Sequence, residues 1–385
     1  MQAMSNSVQL PAMRIPIARQ PRIPHGCFVA GRMLIASGLA AHSMVRIACI
    51  VNPAGRDGTV LKRWPEIEAL IEAEGLTHEV HFTERTGHAA EIAYGLRDRD
   101  DLDMVVAVGG DGTMNEVAGG LRGSAMTMGI VPMGSGNDYA RAHGLPLVDP
   151  KAAVPILRNG VDRRVGAMRV DGAPAPGLPH YPSPAETVWD GPAEEPGMVR
   201  RWAFLESDGG TTSDVSRRKT LGQGKRIRGN AKYTYLGIKS IFGWKKQDAW
   251  LKVDDVVLGR QDMSGLFTTI MTQTFGGGYR VAPGKRVTDD AFDLVLATGL
   301  SKSQMLRLMG PLKKGTHVGK WGITQRSAMR LEIRNIDDSD RPSDTAHDPP
   351  MWVQVDGEPC LMTPAIIQFV PDQLTVRGGA SIPNE

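Results

Sequence analysis

The chain has 385 residues, with 45 Lys and Arg against 42 Asp and Glu and a formal net charge of +3. That length accommodates two cores, while so small a charge gives no reason to expect a nucleic-acid partner. Its three cysteines (Cys27, Cys49 and Cys360) have neither metal nor disulfide spacing, and no apolar run approaches the ~18 residues that cross a bilayer.

Residues 1–43 carry four arginines, scattered prolines and no acid, and are expected to form a disordered extension outside the fold. A nucleotide-binding α/β domain is expected over 44–164. Its first strand, Val45–Val51, holds Cys49 as a core residue, which suits a reducing, cytoplasmic setting. The strand ends in the turn Asn52-Pro53-Ala54-Gly55-Arg56. A helix follows, with Trp64, Ile67, Leu70 and Ile71 on one face and Gly75 as its stop signal. A second strand, His78–Phe82, runs into Thr83-Glu84-Arg85-Thr86-Gly87-His88-Ala89 and a helix to about Leu96.

The third strand, Val105–Val108, breaks into Gly109-Gly110-Asp111-Gly112 and restarts with helical spacing at Val117, Ala118 and Leu121. Thr113 and Glu116 have the spacing of a capping box, so the helix is expected to begin at Thr113. Strand, glycine turn and helix N-terminus together suit a phosphate: backbone without side chains permits close approach, and free N–H groups point at the anion. Asp111 is awkward against bare phosphate and makes sense with a Mg²⁺ or a substrate hydroxyl between them. A plain tight connection also fits such a turn, and no Walker A sequence occurs. A fourth strand, Met128–Val131, gives Pro132-Met133-Gly134-Ser135-Gly136-Asn137-Asp138, a second glycine loop ahead of a helix. Four successive βα units predict a doubly wound parallel sheet, with its loops at the carboxyl ends of the strands.

Beyond Arg163 the texture becomes alternating and rich in short strands, which predicts a β-rich sandwich domain over 165–385. Two Pro-, Gly- and acid-rich stretches, 173–197 and 337–350, are expected to be disordered loops. The tripeptide Asp356-Gly357-Glu358 follows an apolar strand, and its turn is expected to splay two carboxylates outward. Arg217, Arg218, Lys219, Lys225, Arg226 and Arg228 precede Tyr233, Tyr235, Ile238, Phe242 and Trp244. Charge beside aromatics suits an anionic lipid surface, although a solvated face explains it as well.

The block Gly109–Val117 resembles the signature of the diacylglycerol kinase and sphingosine kinase catalytic domain, part of whose fold is shared by NAD kinases and 6-phosphofructokinases. The second loop, through Tyr139-Ala140-Arg141, is similar to the Pro-x-Gly-(Thr/Ser)-x-Asn-Asp-x-Ala-Arg block of diacylglycerol kinases. The resemblance implies an ATP- and Mg²⁺-dependent kinase acting on a free lipid hydroxyl. Nucleotide contacts are implied for Asn52, Pro53 and Thr83, for Gly109, Gly110, Asp111, Gly112 and Thr113, for Asn115 and Glu116, and for Gly134, Ser135 and Asn137. Glu358 is implied as first choice for the base, with Asp356 second and Asp111 as a further catalytic group. Asp138 and Asp214 are implied for the lipid, and Asp289 for a structural Mg²⁺. The sequence departs from the pattern at Ser207–Thr212, Met271–Thr274 and Asp289-Asp290. The partners expected are a lipid and a peripheral membrane surface, with a homodimer left open. Two rivals stand beside this reading: an NAD kinase, and a nucleotide-binding regulator without catalysis.

Overall fold

A computed structural model of the chain describes residues 45–175, 190–224, 227, 230–245, 247–263, 265–343 and 351–383. The extension expected over 1–43 lies outside them, as do residues 176–189 and 344–350 of the two expected loops, and Lys225, Arg226 and Arg228.

The first half alternates strand and helix: β1 (Arg46–Val51), α1 (Gly55–Ala73), β2 (Thr77–Phe82), α2 (His88–Leu96), β3 (Met104–Gly109), α3 (Asp111–Leu121), β4 (Thr127–Pro132), α4 (Asp138–Ala142) and α5 (Pro150–Asn159). β1 pairs in parallel with β2 and β3, and β3 with β4. The strands read as continuous apolar runs because both sheet faces are covered. Ile47, Cys49 and Val51 pack with Val60, Trp64 and Ile67 of α1 and Leu157 of α5. Ala48 and Ile50 point the other way, into a cluster with Ala93 of α2 and Met114 and Val117 of α3. The doubly wound architecture follows from that alternation.

The second half contains β5 (Val161–Pro174), β6 (Val199–Ala203), β7 (Glu206–Gly210), α6 (Thr211–Thr220), α7 (Asn230–Gly243), β8 (Asp248–Val253), β9 (Val256–Asp262), β10 (Leu266–Ile270), β11 (Thr274–Phe275) and β12 (Tyr279–Arg280). It continues with β13 (Phe292–Ala297), α8 (Lys302–Lys314), β14 (Thr324–Ala328), β15 (Arg330–Ile336), β16 (Pro342–Ser343), β17 (Trp352–Val355) and β18 (Glu358–Gly378). Its core centres on Phe267, Phe292, Leu294, Leu331 and Val353.

The 21-residue β18 is the seam of the molecule. Thr375 and Val376 pair in parallel with Thr127 and Met128 of β4, while most of the strand runs antiparallel to β5. One sheet therefore runs in the order β14-β13-β10-β7-β17-β18-β4-β3-β1-β2. The boundary expected between 164 and 165 falls inside β5. Three helices stand among the second-half strands. The last, α8, begins with a complete capping box, Ser301 with Gln304, and stops at Gly315 in the left-handed region.

Candidate active site

Two glycine loops form the floor of the site by touching each other. Met133 N donates to Gly109 O at 2.7 Å, and a Cβ on Gly134 would stand 2.5 Å from the Gly110 Cα. Only glycine at both positions permits that approach. Asn137, at φ +53, closes the second loop on itself: its Oδ1 accepts from Gly134 N and its Nδ2 donates to Gly134 O, both at 2.9 Å. Asn137 thus shapes the loop, and its amide is spent on Gly134. The turn after β1 is similarly built: Asn52 Nδ2 donates to Thr113 Oγ1 at 3.1 Å, and Arg56, Asp57 and Gly58 are successively left-handed.

The capping box expected at Thr113 and Glu116 is not formed. Helix α3 starts two residues earlier, at Asp111, because Gly110 is already extended there and serves as N-cap. The Glu116 carboxylate instead accepts from Gly87 N at 2.9 Å and Ala89 N at 3.1 Å, at the start of α2. It holds the Thr83–Ala89 turn against the site, and Thr83 itself is tied to β1 through its N–H to Val51 O at 2.9 Å.

Asp111 faces a cavity of about 470 Å³ that Asn52, Gly110, Gly112, Thr113, Gly134 and Ser135 also line. Its Oδ1 accepts from Tyr139 N at 3.2 Å. Burial, then the nearby Asp138 carboxylate, push the Asp111 carboxyl up to about 6. An acid held in excess negative charge suits a divalent cation. Among the described residues no three His, Cys, Asp or Glu side chains converge as a ready-made cage. Mg²⁺ here would be held by Asp111 together with phosphate oxygens and water, its usual mode.

The carboxylates expected to splay from Asp356-Gly357-Glu358 part ways. Asp356 and Gly357, at φ +47 and +86, are the two-residue loop of a hairpin whose flanking residues Val355 and Glu358 pair. That turn folds the Asp356 side chain inward. Its Oδ1 accepts from Leu205 N (3.0 Å) and Glu206 N (2.9 Å), and its Oδ2 from Phe204 N (2.9 Å) and Asn115 Nδ2 (2.5 Å). Burial still raises its carboxyl above the ordinary range against those four donors. Asp356 is a clasp, and Asn115 faces it from α3. Glu358 is exposed and lines the cavity that Asp111 lines.

Three further acids differ from expectation in what they do. Asp138 is buried and reaches across to the second half, accepting from Gly277 N at 2.7 Å and Thr274 Oγ1 at 3.2 Å. Asp214 is buried on α6 and captured by arginines three and four residues on, Arg217 at 2.8 Å and Arg218 at 2.6 Å. Two guanidiniums leave that carboxylate little to offer a lipid hydroxyl. Asp289 accepts from Arg286 Nε at 3.0 Å and lies 3.4 Å from the buried Lys285 ammonium, which also bonds Ala291 O. Burial opposes ionisation of Asp289, yet Arg286 and Lys285 hold its carboxyl below the usual range. Where the resemblance implies Mg²⁺, a lysine closes the loop.

Two acids that sequence reasoning passed over stand in the same wall. Glu206 and Asp208 sit two apart on β7 and so share one sheet face, 1% and 0% exposed. Gln354 Nε2 donates to Glu206 Oε1 at 3.2 Å and to Asp208 Oδ2 at 2.6 Å. Burial, then their mutual repulsion and Asp356, raise the Glu206 carboxyl well above its ordinary value; burial pushes Asp208 up to about 8. The signal was there, as acids inside an otherwise strand-like run, but nothing in the spacing showed that they turn inward. Past Glu206 the cavity becomes apolar, walled by Ile241, Phe275, Val295, Leu300, Met305 and Leu308.

Residues 46–170 match the diacylglycerol kinase catalytic domain, and residues 210–378 match the YegS C-terminal NAD kinase beta sandwich-like domain. A diacylglycerol kinase of Bacillus subtilis (strain 168) is 25% identical over 292 residues, covering 75% of this chain and 86% of the relative. A diacylglycerol kinase of Mycobacterium tuberculosis (strain ATCC 25618 / H37Rv) is 24% identical over 349 residues, covering 89% of this chain and 97% of its own. The crystal structure of a diacylglycerol kinase from Bacillus anthracis str. Sterne superposes with a TM-score of 0.61 at 15% identity, covering 88% of this chain and 99% of that one. At that identity the likeness is one of fold.

Proposed function

Because the chain belongs to the diacylglycerol kinase family, kinases that act on a lipid hydroxyl, we propose that it transfers the γ-phosphoryl group of ATP to the free hydroxyl of a lipid bound in the cavity. The observation that carries this reading is one continuous cavity, polar at Asn52, Gly110, Asp111 and Ser135 and apolar beyond Glu206. Phosphoryl transfer asks mainly for positioning and charge neutralisation. In this reading the touching glycine loops receive the phosphates, and Asn52 and Thr113 hold the first turn against them. Mg²⁺ held at Asp111 neutralises charge on the transferred group. Glu358, on the opposite wall, takes the proton from the attacking hydroxyl. Asp356 keeps the Gly357-Glu358 turn in place, and Asp138 fastens the 274–277 loop over the second glycine loop.

The lipid is proposed to arrive from an anionic membrane surface at α7. No helix among the described residues is long and apolar enough to cross a membrane. Helix α7 is apolar on two sides: Tyr233, Gly237 and Ile241 line the cavity, while Tyr235, Ile238 and Phe242 are 43%, 39% and 60% exposed. Exposed Lys239 lies on the same helix. An outward apolar stripe beside cations suits shallow insertion among headgroups.

The test is purified chain with radiolabelled ATP and Mg²⁺ against defined lipids in mixed micelles, with NAD as a parallel acceptor. Label in a lipid product supports the reading. Label in NAD alone, or nucleotide binding without turnover, overturns it.

A further inference from the structure

The buried acids of β7 are poorly matched to a neutral glyceride. Glu206, Asp208 and Gln354 present their oxygens in one place, and the Gln354 amide NH₂ is the donor they share. Asp208 Oδ1 and Gln354 Oε1, on residues 0% and 1% exposed, have no hydrogen-bond partner. No lysine or arginine among the described residues pairs with either acid. Such a group is costly to bury unless something donates to it or brings positive charge.

Position decides what that something is. Glu206 and Gln354 line the cavity, and Glu206 is joined to the proposed transfer centre through its backbone: its N–H donates to Asp356 Oδ1 and its carbonyl accepts from Asp356 N, both at 2.9 Å. The apolar wall begins just beyond. An occupant therefore carries a hydrocarbon tail, a donor-rich cationic group at the acids, and a hydroxyl within a bond or two of it. A diacylglycerol brings ester carbonyls, which are acceptors, to a wall already short of donors. A bare metal ion is disfavoured by the Gln354 NH₂, whose hydrogens point at the same oxygens.

We propose that Glu206, Asp208 and Gln354 form an ammonium site, and that the acceptor lipid is a long-chain amino alcohol whose protonated amine binds there beside the hydroxyl to be phosphorylated. This rests on the lipid-kinase reading and narrows its substrate class. The amine donates to Glu206, Asp208 Oδ1 and Gln354 Oε1, supplying the positive charge that the pair otherwise obtains by keeping a proton. The raised values of both carboxyls are what an empty ammonium site between two acids would produce.

The experiment compares three acceptors in mixed micelles with the full chain: a long-chain 2-amino-1,3-diol, the 1,2-diol of equal chain length, and dioleoylglycerol. We expect kcat/KM for the amino alcohol to exceed that of the diol at least tenfold, with the difference mainly in KM. Glu206→Gln and Asp208→Asn should bring the ratio toward one. Dodecylamine, which has no hydroxyl to phosphorylate, should bind the wild-type chain at least tenfold more tightly than dodecanol, a readout that needs no variant to fold. A wild-type ratio near one, or a ratio untouched by both substitutions, overturns the ammonium site. So does calorimetric binding of Mg²⁺ or Ca²⁺ alone that both substitutions abolish. Label in dioleoylglycerol but not in the amino alcohol defeats this inference and leaves the kinase reading standing. Label in none of the three defeats the kinase reading, and the dodecylamine comparison then decides the ammonium site by itself.

Discussion

The side chains of Asn115 and Asp356, 241 residues apart, meet at 2.5 Å. This contact fastens the first turn of α3, directly behind the glycine loop, to the hairpin that carries Glu358. Asp356 is held on its other sides by the backbone of residues 204–206, so one carboxylate ties three segments together. Asp356→Asn turns an NH₂ toward donors and should cost roughly 3 kcal/mol or more of stability. Asn115→Ala should cost less. A double-mutant cycle by chemical denaturation should show coupling of about 1–3 kcal/mol. Independent, additive effects would show that Asp356 is no clasp.

Asp111→Asn should lower turnover on the order of 10²–10⁴-fold while leaving the fold intact. It should also stabilise the protein at neutral pH. The Asp111 carboxyl is raised from 3.8 to about 6, so the folded state binds its proton more tightly than the unfolded state. Stability is therefore lost as pH rises through that window, and the neutral amide escapes the loss. Thermal melts should show a gain of roughly 1–3 kcal/mol at pH 7.5 and almost none at pH 3.5. Equal effects at both pH values would remove the electrostatic account.

Gly112 and Gly134 should behave differently although both line the cavity. A Cβ at Gly134 meets Gly110 Cα at 2.5 Å and Asn137 Oδ1 at 2.7 Å, whereas a Cβ at Gly112 meets nothing within 4 Å. Gly134→Ala should pry the loops apart, lowering both melting temperature and nucleotide affinity. Gly112→Val should weaken nucleotide about tenfold or more, with the melt little changed, because bulk there stands only in the phosphate's way. Nucleotide titration beside thermal melts separates the two.

Glu358→Gln should cut turnover on the order of 10²-fold or more with nucleotide affinity little altered, since the amide keeps size and hydrogen bonding but cannot take a proton. Single-turnover rates and nucleotide titration measure the split. Turnover within twofold of wild type would remove Glu358 from the chemistry.

Ile238→Asp and Phe242→Asp should each weaken partition onto anionic vesicles severalfold, because the outward stripe of α7 would then carry charge into the headgroup region. Turnover of a short-chain, water-soluble acceptor should fall much less. Equal losses on both acceptors would place the defect in the cavity wall.

The α/β half was legible because parallel strands buried on both faces leave an unmistakable apolar signature, and because glycine loops at strand ends are local features. Val105–Val108 with its glycine turn, and Met128–Val131 with its own, needed no partner to be recognised. Side-chain direction and reach were not legible. Glu116 has the spacing of a cap for its own helix, yet it caps α2, since α3 starts early at Gly110 and brings the carboxylate beside Gly87. Asp214 sits where a substrate contact was expected and is taken by Arg217 and Arg218, a competition settled by rotamers on one helix turn. Helix α8 announced itself through Ser301 and Gln304 and was overlooked among strands. What only the tertiary structure decided is the long-range set: β18 welding both halves into one sheet, Asp356 turning inward, and Glu206 and Asp208 facing a cavity. A strand's alternation says that two residues share a face, and only its neighbours in the sheet determine whether that face meets water, a core or a ligand.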